Sequence, residues 1–328
     1  MTYPHLHPQS GQLGPYSLVP IRMEDREEIR RWRNEQMYHL RQSNPLTQEQ
    51  QDVYFSTVVK GLFEDPNPTQ YLFSYLHEGN CIGYGGLVHL NRARGSAELS
   101  FIMNTALEAT EFALHWGNYL QLIQPIAFEG LKLRKIFTYA YDLRPHLYPI
   151  LENAEFLHEI SIPNALNENG RSIPALVHSR WNATLRKAQE EDASLTFKWA
   201  VSPEVRAYSF SQDEIRWDGH EAWFKAKTHD SNCLYYLMES PFGVLGSIRF
   251  DLKGTGTGWI SYLLDPQFHG QGWGIALLLM GEKEARRAGL QQLIGEVMPE
   301  NSASCAIFAK LEYEKEVLSD RIRYTKFL

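Results

Sequence analysis

Cysteine is scarce in this chain. Its three copies, Cys81, Cys233 and Cys305, are odd in number, far apart and never in a Cys-x-x-Cys pair, which excludes a disulfide framework and a cysteine-built zinc or redox centre. Long apolar runs are lacking too: none reaches ten residues, whereas about 20 are needed to cross a bilayer. Met1 to Pro15 has no basic start, apolar core or small-residue cleavage site, so it does not read as a secretory signal. An excess of positive charge is also missing. Lys and Arg number 32 against 39 Asp and Glu, a net −7, and dividing the chain after Arg180 leaves −4 and −3. Neither half has the charge of a nucleic-acid-binding module, and no membrane partner is expected. The twelve histidines include His5 and His7 but no His-x-x-x-His carboxylate cluster, so no metal is assigned. What is present is ordinary for a folded protein: 328 residues, 43% hydrophobic and 12% aromatic. That length corresponds to about two domains, and the expectation is a soluble cytoplasmic protein of unstated oligomeric state.

The same order of elements is met twice. The first copy opens with a strand-like Tyr16 to Arg22 and a helical Glu24 to Tyr38; the second opens with Thr184 to Ala188 and Glu190 to Ala200. Trp32 corresponds to Trp199, and each is followed by a break and a second helix predicted to end in an aromatic pair, Tyr54-Phe55 and Trp223-Phe224. Three strand-like runs follow in each copy, Gln70 to His77, Cys81 to Asn91 and Ala97 to Asn104, then Cys233 to Glu239, Val244 to Leu252 and Gly258 to Asp265, with Gly83 matching Gly246 and Ser100 matching Ser261. Glu78-Gly79-Asn80, Arg94-Gly95-Ser96 and Lys253-Gly254-Thr255-Gly256 supply the turns. A long helix (Leu107 to Glu129; Gln271 to Ala288), a strand (Lys132 to Tyr141; Gln291 to Met298), a short helix and two closing strands complete each copy. Strand, long helix, strand reads as a parallel crossover, which gives an α/β fold with a mixed, mostly antiparallel sheet flanked by helices, present in tandem. The boundary falls near Trp181 to Ala183, giving domains 15–181 and 182–328, and the absence of a Gly/Ser/Pro linker there predicts packed domains. Asn164 to Gly170 reads as a polar hairpin tip.

One segment carries chemistry. Asp265-Pro266-Gln267-Phe268-His269-Gly270-Gln271-Gly272-Trp273-Gly274 joins a strand end to a helix start through a glycine-rich turn. Such a turn lets backbone N–H groups and the positive end of the helix dipole face a phosphate. It opens no βαβ unit and has no Walker lysine, so it is not a dinucleotide or P-loop fingerprint.

The segment resembles the acetyl-CoA loop of the GNAT N-acetyltransferase family, whose pattern is Gln/Arg-x-x-Gly-x-Gly/Ala; His269 stands in the first place. A second family motif, Asn-x-x-Ser/Ala-x-x-Leu-Tyr-x-x-x-Gly-Phe, is met by Asn301 to Tyr313, with Phe308 in place of the tyrosine that often serves as general acid and Glu312 in place of the glycine. Phe197-Lys198-Trp199 to Trp223-Phe224, with Pro203-Glu204-Val205-Arg206 between, resembles the branch that acetylates nucleotide-linked amino sugars. The resemblance implies acetyl-CoA as co-substrate and a small-molecule amine as acceptor. It implies a phosphate cradle of His269, Gly270, Gln271, Gly272, Trp273 and Gly274, and pantetheine contacts from Leu263, Leu264, Asn301, Ser304 and Phe308.

The copies then diverge. Glu98 stands in the fourth strand of copy one, where many relatives keep a catalytic glutamate, and Trp259 replaces it in copy two. Copy one lacks the glycine loop: Thr105 to Phe112 offers no glycine and two carboxylates, Glu108 and Glu111, while Arg144 stands where copy two has Asn301. Candidate catalytic groups are therefore Glu98, His220 and Asp251 as bases and Tyr262 as an acid. Glu98 also reads as a solvent-facing strand residue, His220 as a half-exposed helix histidine and Tyr262 as a sheet aromatic in the core. Trp32, Trp199, Trp217 and Trp223 read as core, Trp273 alone as near the cofactor, and Arg30-Arg31-Trp32-Arg33 as a solvated helix face. The expectation is an acetyl-CoA-dependent N-acetyltransferase with its cofactor in copy two and a degenerate copy one beside the acceptor site. The competing readings are a non-catalytic acetyl-CoA-sensing or interaction module, a protein N-terminal acetyltransferase, and a copy one that is itself the active half.

Overall fold

The computed structural model describes every residue except Asn169 and Thr255. The hairpin tip and the Lys253 to Gly256 turn each include one residue outside those described. The chain divides into two compact units, Met1–Asn182 and Ala183–Leu328.

In the first unit, strands β1 (Gly11–Leu13) and β2 (Tyr16–Pro20) precede helices α1 (Arg26–Glu35), α2 (Gln48–Tyr54) and α3 (Lys60–Glu64). The meander β3 (Tyr71–His77), β4 (Asn80–Asn91) and β5 (Ser96–Met103) follows, then α4 (Thr105–Pro125), β6 (Lys135–Tyr141), α5 (Tyr148–Asn153), β7 (Leu157–Glu168) and β8 (Arg171–Trp181). The eight strands form one sheet in the order β1-β2-β3-β4-β5-β6-β8-β7, parallel only between β5 and β6. The second unit runs β9 (Thr184–Lys187), α6 (Ala193–Ala200), α7 (Pro203–Arg206), α8 (Trp217–His229), β10 (Cys233–Ser240), β11 (Gly243–Leu252) and β12 (Thr257–Leu264). It closes with α9 (Trp273–Arg287), β13 (Gln292–Val297), α10 (Ser302–Lys310), β14 (Glu314–Val317) and β15 (Ile322–Phe327). Its seven strands lie in the order β14-β15-β13-β12-β11-β10-β9, again with one parallel pair, β12 and β13.

The repeat is legible residue by residue. Gly83 pairs with Met103 and Gly246 with Leu264, so the two glycines hold the same register. A Cβ on Gly246 would come 2.4 Å from the Leu263 carbonyl oxygen, and one on Gly83 would come 2.9 Å from that of Ile102. Trp32 and Trp199 are each fully buried seven positions after an aspartate that an arginine holds by two bonds, Arg22 to Asp25 at 2.8 and 2.7 Å and Arg186 to Asp192 at 2.6 and 2.7 Å. Each clamp fixes the turn into the first helix of its unit.

Several expectations are corrected. The strand β1 was not foreseen. The first helix is shorter than Glu24 to Tyr38, because a 3-10 turn at Met23–Asp25 precedes it and another at Met37–His39 follows. The aromatic pairs do not end their helices: the helix holding Tyr54-Phe55 continues through a π turn into α3, and Trp223-Phe224 lies in the middle of α8. Trp217 and Trp223 are part-exposed rather than core. Arg33 leaves the solvated face of α1, donating to the Tyr84 hydroxyl at 2.7 Å. Among the described residues no helix is long and apolar enough to cross a membrane, no metal-holding cluster occurs, and all three cysteines are free.

Candidate functional site

In the second unit β12 and β13 pair only from Thr257 opposite Gln292 to Ile260 opposite Gly295, after which they part, β12 staying on β11 and β13 on β15. The sheet therefore opens as a wedge whose edge is the last four residues of β12, which include Leu263 and Leu264. A cavity of about 1360 Å³ occupies this opening, lined by β12, the glycine-rich turn, the start of α9, the end of β13 and α10.

The turn is built for its backbone. Gly270 (φ +72°) and Gly272 (φ +86°) lie in the left-handed region, and a Cβ on either would meet nothing within 4 Å. Conformation rather than crowding requires glycine there. Gly274 differs: its Cβ would sit 2.6 Å from Ile307 Cδ1, so its role is to let α9 approach α10. No side chain caps α9. Its first N–H groups therefore have no intrahelical acceptor, which makes this terminus suited to an anion. His269 Nε2 lies 3.2 Å from the Leu264 carbonyl oxygen, and Gln271 donates to that of Gln267 at 3.0 Å. Both side chains thus brace the turn. Trp273 is buried, with its indole N–H unpartnered among the described residues and its ring centre 6.1 Å from that of Phe242.

Across the wedge, Asn301 caps α10 by accepting from the Ser304 N–H at 3.1 Å, and the Tyr262 hydroxyl donates to Ser304 Oγ at 2.9 Å. Burial pushes the Tyr262 hydroxyl up to about 12, against a lowering bond to Ser304. Tyr262 is thus a half-buried, protonated donor at the wedge rather than a core aromatic. Phe308 is buried, stacked on Tyr324 with ring centres 4.9 Å apart, and a Cβ on Gly295 would come 2.5 Å from its ring. Where the motif has glycine, Glu312 adopts φ +61°, and Glu155 adopts φ +63° at the matching place in the first unit.

The proposed bases are scattered. Asp251 lines the large cavity but is bound by Lys227 at 2.7 Å and Arg249 at 2.9 Å. Burial raises its pKa, the two cations outweigh that, and the carboxyl is held below its usual range, where it is a weak base. His220 is buried, not half-exposed; its Nε2 is 3.1 Å from Thr196 Oγ1 and burial lowers its pKa, so the ring is neutral at pH 7. It lines a second cavity of about 450 Å³ that shares Ser261, Tyr262 and Leu263 with the larger one. Glu98 belongs to the first unit, where it is buried rather than solvent-facing, bonded by Arg41 and 3.9 Å from His89 Nε2.

The first unit has the same wedge, with β5 and β6 pairing only as far as Glu98 opposite Phe137, but its cavity there is about 90 Å³. Asn104 caps α4 by accepting from Ala106 N at 2.9 Å, and Arg144 donates to Glu108 at 3.1 Å. A helix terminus already capped by a side chain and flanked by a carboxylate does not suit a pyrophosphate.

Two features escaped the sequence. Glu296, on β13 beyond the point of divergence, lines the cavity with Arg321 at 2.8 Å and Arg323 at 2.9 Å. The strand alternation that buries Val297 and turns Gly295 toward Phe308 was a signal for it. Asp265 accepts from the Trp199 indole N–H, and nothing local to either residue foretold that bond.

Two family descriptions match the chain, each an acetyltransferase (GNAT) domain, over residues 18–141 and 182–314. None of the curated proteins matches it. Among solved structures, spermidine N-acetyltransferase from Vibrio cholerae in complex with CoA and spermine is 18% identical, covering 52% of this chain and 96% of its own, with a TM-score of 0.44. An acetyltransferase from Salmonella typhimurium that modifies the N-terminal serine of ribosomal protein L7/L12 is 17% identical, with coverages of 45% and 95% and a TM-score of 0.39. A domain from Methanocaldococcus jannaschii is 18% identical, with coverages of 44% and 98% and a TM-score of 0.40. The chain carries two GNAT acetyltransferase domains in tandem.

Proposed function

We propose that the protein is an acetyl-CoA-dependent N-acetyltransferase that holds its co-substrate in the second unit and acts on a small amine of the nucleotide-linked amino-sugar class. The observation that carries this reading is the uncapped start of α9, preceded by left-handed Gly270 and Gly272 and opening onto a cavity of about 1360 Å³. The N–H groups at the start of α9 would hold the pyrophosphate, and the free edge at Leu263 and Leu264 would pair with the pantetheine amides. Acetyl-CoA supplies the thioester carbonyl that a free amine attacks, the C–S bond breaking to leave an amide and a thiolate. The chain's own part is modest: it orients the amine in the wedge, the Tyr262 hydroxyl turns its one proton from Ser304 Oγ to the departing sulfur, and the proton lost by the attacking nitrogen restores the hydroxyl. Asp251, already ion-paired, and neutral His220 position the acceptor wall. The closed helix terminus and small cavity of the first unit support a degenerate first domain.

Calorimetric titration of CoA into the full chain tests the reading, with binding in the micromolar range expected. Absence of binding overturns it. Thiol release with acetyl-CoA and a panel of amines then separates an enzyme from a non-catalytic sensor, since only an enzyme turns over.

A further inference from the structure

The wedge of the first unit keeps a small opening with polar groups that its own fold leaves unused. Phe101 on β5 stacks on Tyr119 of α4, so alternation turns Leu99 to that face as well, and the pairing of Ala97 with Ile136 places Thr138 of β6 on it too. Leu99 and Thr138 are the first residues of that face beyond the last paired position, Glu98 opposite Phe137. Thr138 stands where the second unit has Gly295 and lines the opening. It is 3% exposed, and its hydroxyl has no hydrogen-bond partner among the described residues. A buried hydroxyl left so is costly unless a ligand answers it. Arg144 lines the same opening. Its Nη1 donates to Glu108 at 3.1 Å and lies 3.3 Å from His39 Nε2, while its Nε and Nη2 have no hydrogen-bond partner among the described residues. Trp116 on α4, edge-on to Phe101 at 5.1 Å, and Leu147 join Leu99 in an apolar wall.

The charges around this opening cancel. Arg144 pairs with Glu108 and Arg41 with Glu98, and His39 is neutral at pH 7 because burial, aided by Arg144, pushes it down to about 3. A carboxylate or an ammonium entering here becomes a buried charge without a counter-ion. A neutral group that offers a carbonyl oxygen to the guanidinium, a polar partner to the hydroxyl and a methyl to the apolar wall satisfies all three. Size agrees with such a group: about 90 Å³ holds a handful of heavy atoms, since one water needs about 10–15 Å³, and excludes a whole coenzyme. We infer that the first unit's wedge is a second ligand site, which takes the N-acetyl group of an acetylated amine, with its amide on Arg144 and Thr138 and its methyl against Leu99, Trp116 and Leu147. The site stands on the first unit alone; that the protein itself makes the occupant rests on the acetyltransferase reading.

The test uses the full-length protein and three probes at pH 7: N-methylacetamide, acetate and methylammonium. The readout is the NMR signal of the Trp116 indole N–H, identified as the one missing from Trp116→Phe. Because Trp116 belongs to the first unit, its signal reports this wedge whether or not the second unit holds CoA. The expected result is a saturable shift with N-methylacetamide at millimolar concentration, and binding of acetate and methylammonium at least fivefold weaker. Thr138→Val keeps the shape and removes only the hydroxyl. It is expected to weaken N-methylacetamide at least fivefold without lowering the melting temperature. No saturable shift, equal binding of acetate, or an affinity that survives Thr138→Val overturns the inference. Should Trp116→Phe not fold, saturation transfer from protein to the N-methylacetamide methyl protons, compared between the parent and Thr138→Val, reads the same contrast, and equal transfer overturns the inference. Calorimetry with CoA remains a separate measurement, so a chain that takes N-methylacetamide but no CoA upholds this site and overturns the acetyltransferase reading.

Discussion

The Trp199 indole N–H donates to Asp265 Oδ2 at 2.8 Å, and the same carboxylate accepts from the Gln267 backbone N–H through its other oxygen at 3.0 Å. One buried side chain thus ties α6 to the turn that leads into Gly270–Gly274. Removing it strands a buried donor, which costs about 1–3 kcal/mol. Asp265→Ala is expected to lower the melting temperature and to weaken CoA binding, because the turn loses its cap. Trp199→Phe, which removes the donor and keeps most of the ring, is expected to do less on both counts. An Asp265→Ala protein with unchanged melting and CoA affinity excludes the link.

At Gly272 the backbone is left-handed with open space where a side chain would go. Gly272→Ala carries a conformational cost of about 1–2 kcal/mol, expected as roughly a tenfold loss of CoA affinity if the bound turn keeps that geometry. Gly272→Asp adds a negative charge beside the proposed pyrophosphate position and is expected to lose more. Gly254, also left-handed with nothing within 4 Å, supplies the control. Gly254→Ala should lower stability while CoA titrations match the parent.

Tyr262→Phe keeps the ring against Phe308 and removes only the hydroxyl that donates to Ser304. The expected result is a kcat reduced by about a hundredfold or more, with CoA affinity within twofold. Since burial pushes the hydroxyl up to about 12, its titration contributes no alkaline limb to the rate below about pH 11. Ser304→Ala should reduce kcat by a smaller factor, because Tyr262 keeps its proton.

His178 makes stability fall in acid. It is buried, stacked on Tyr148 with ring centres 5.1 Å apart, and burial, aided by His158, pushes it down to about 4. The unfolded chain binds this proton near pH 6.5 and the folded one does not, so between those values the unfolded state holds more protons and stability rises with pH. The contribution is whole above pH 6.5 and declines toward pH 4, on the order of 2 kcal/mol by pH 5. Denaturant midpoints at pH 7 and pH 5 should lie closer together in His178→Phe than in the parent, with His39, pushed down to about 3 by burial, keeping part of the dependence. A slope identical to that of the parent protein excludes the assignment.

The duplicated fold was written in local pattern. Strand alternation, helical periodicity and the glycine turns repeat along the chain, and they depend on neighbours close in sequence. Gly270, Gly272 and Gly274 were likewise legible, because a glycine-rich turn before a helix has a local physical meaning. What their common spelling hid was a division of labour: two serve left-handed backbone, and the third serves the approach of Ile307, which lies on another helix.

Catalytic and charge roles were not legible for the same reason. Asp251 reads as a free carboxylate until Lys227 and Arg249 close on it, His220 as a useful base until Phe197, Trp223 and Phe224 surround it, and Glu98 as solvent-facing until Arg41 and the sheet cover it. The sequence by itself determined most of the backbone elements and the place of the glycine-led start of α9, since both follow from interactions across a few residues. Only the tertiary structure decided which charges are spent and which remain free, because ion pairing and desolvation depend on groups that strand order brings together from distant parts of the chain.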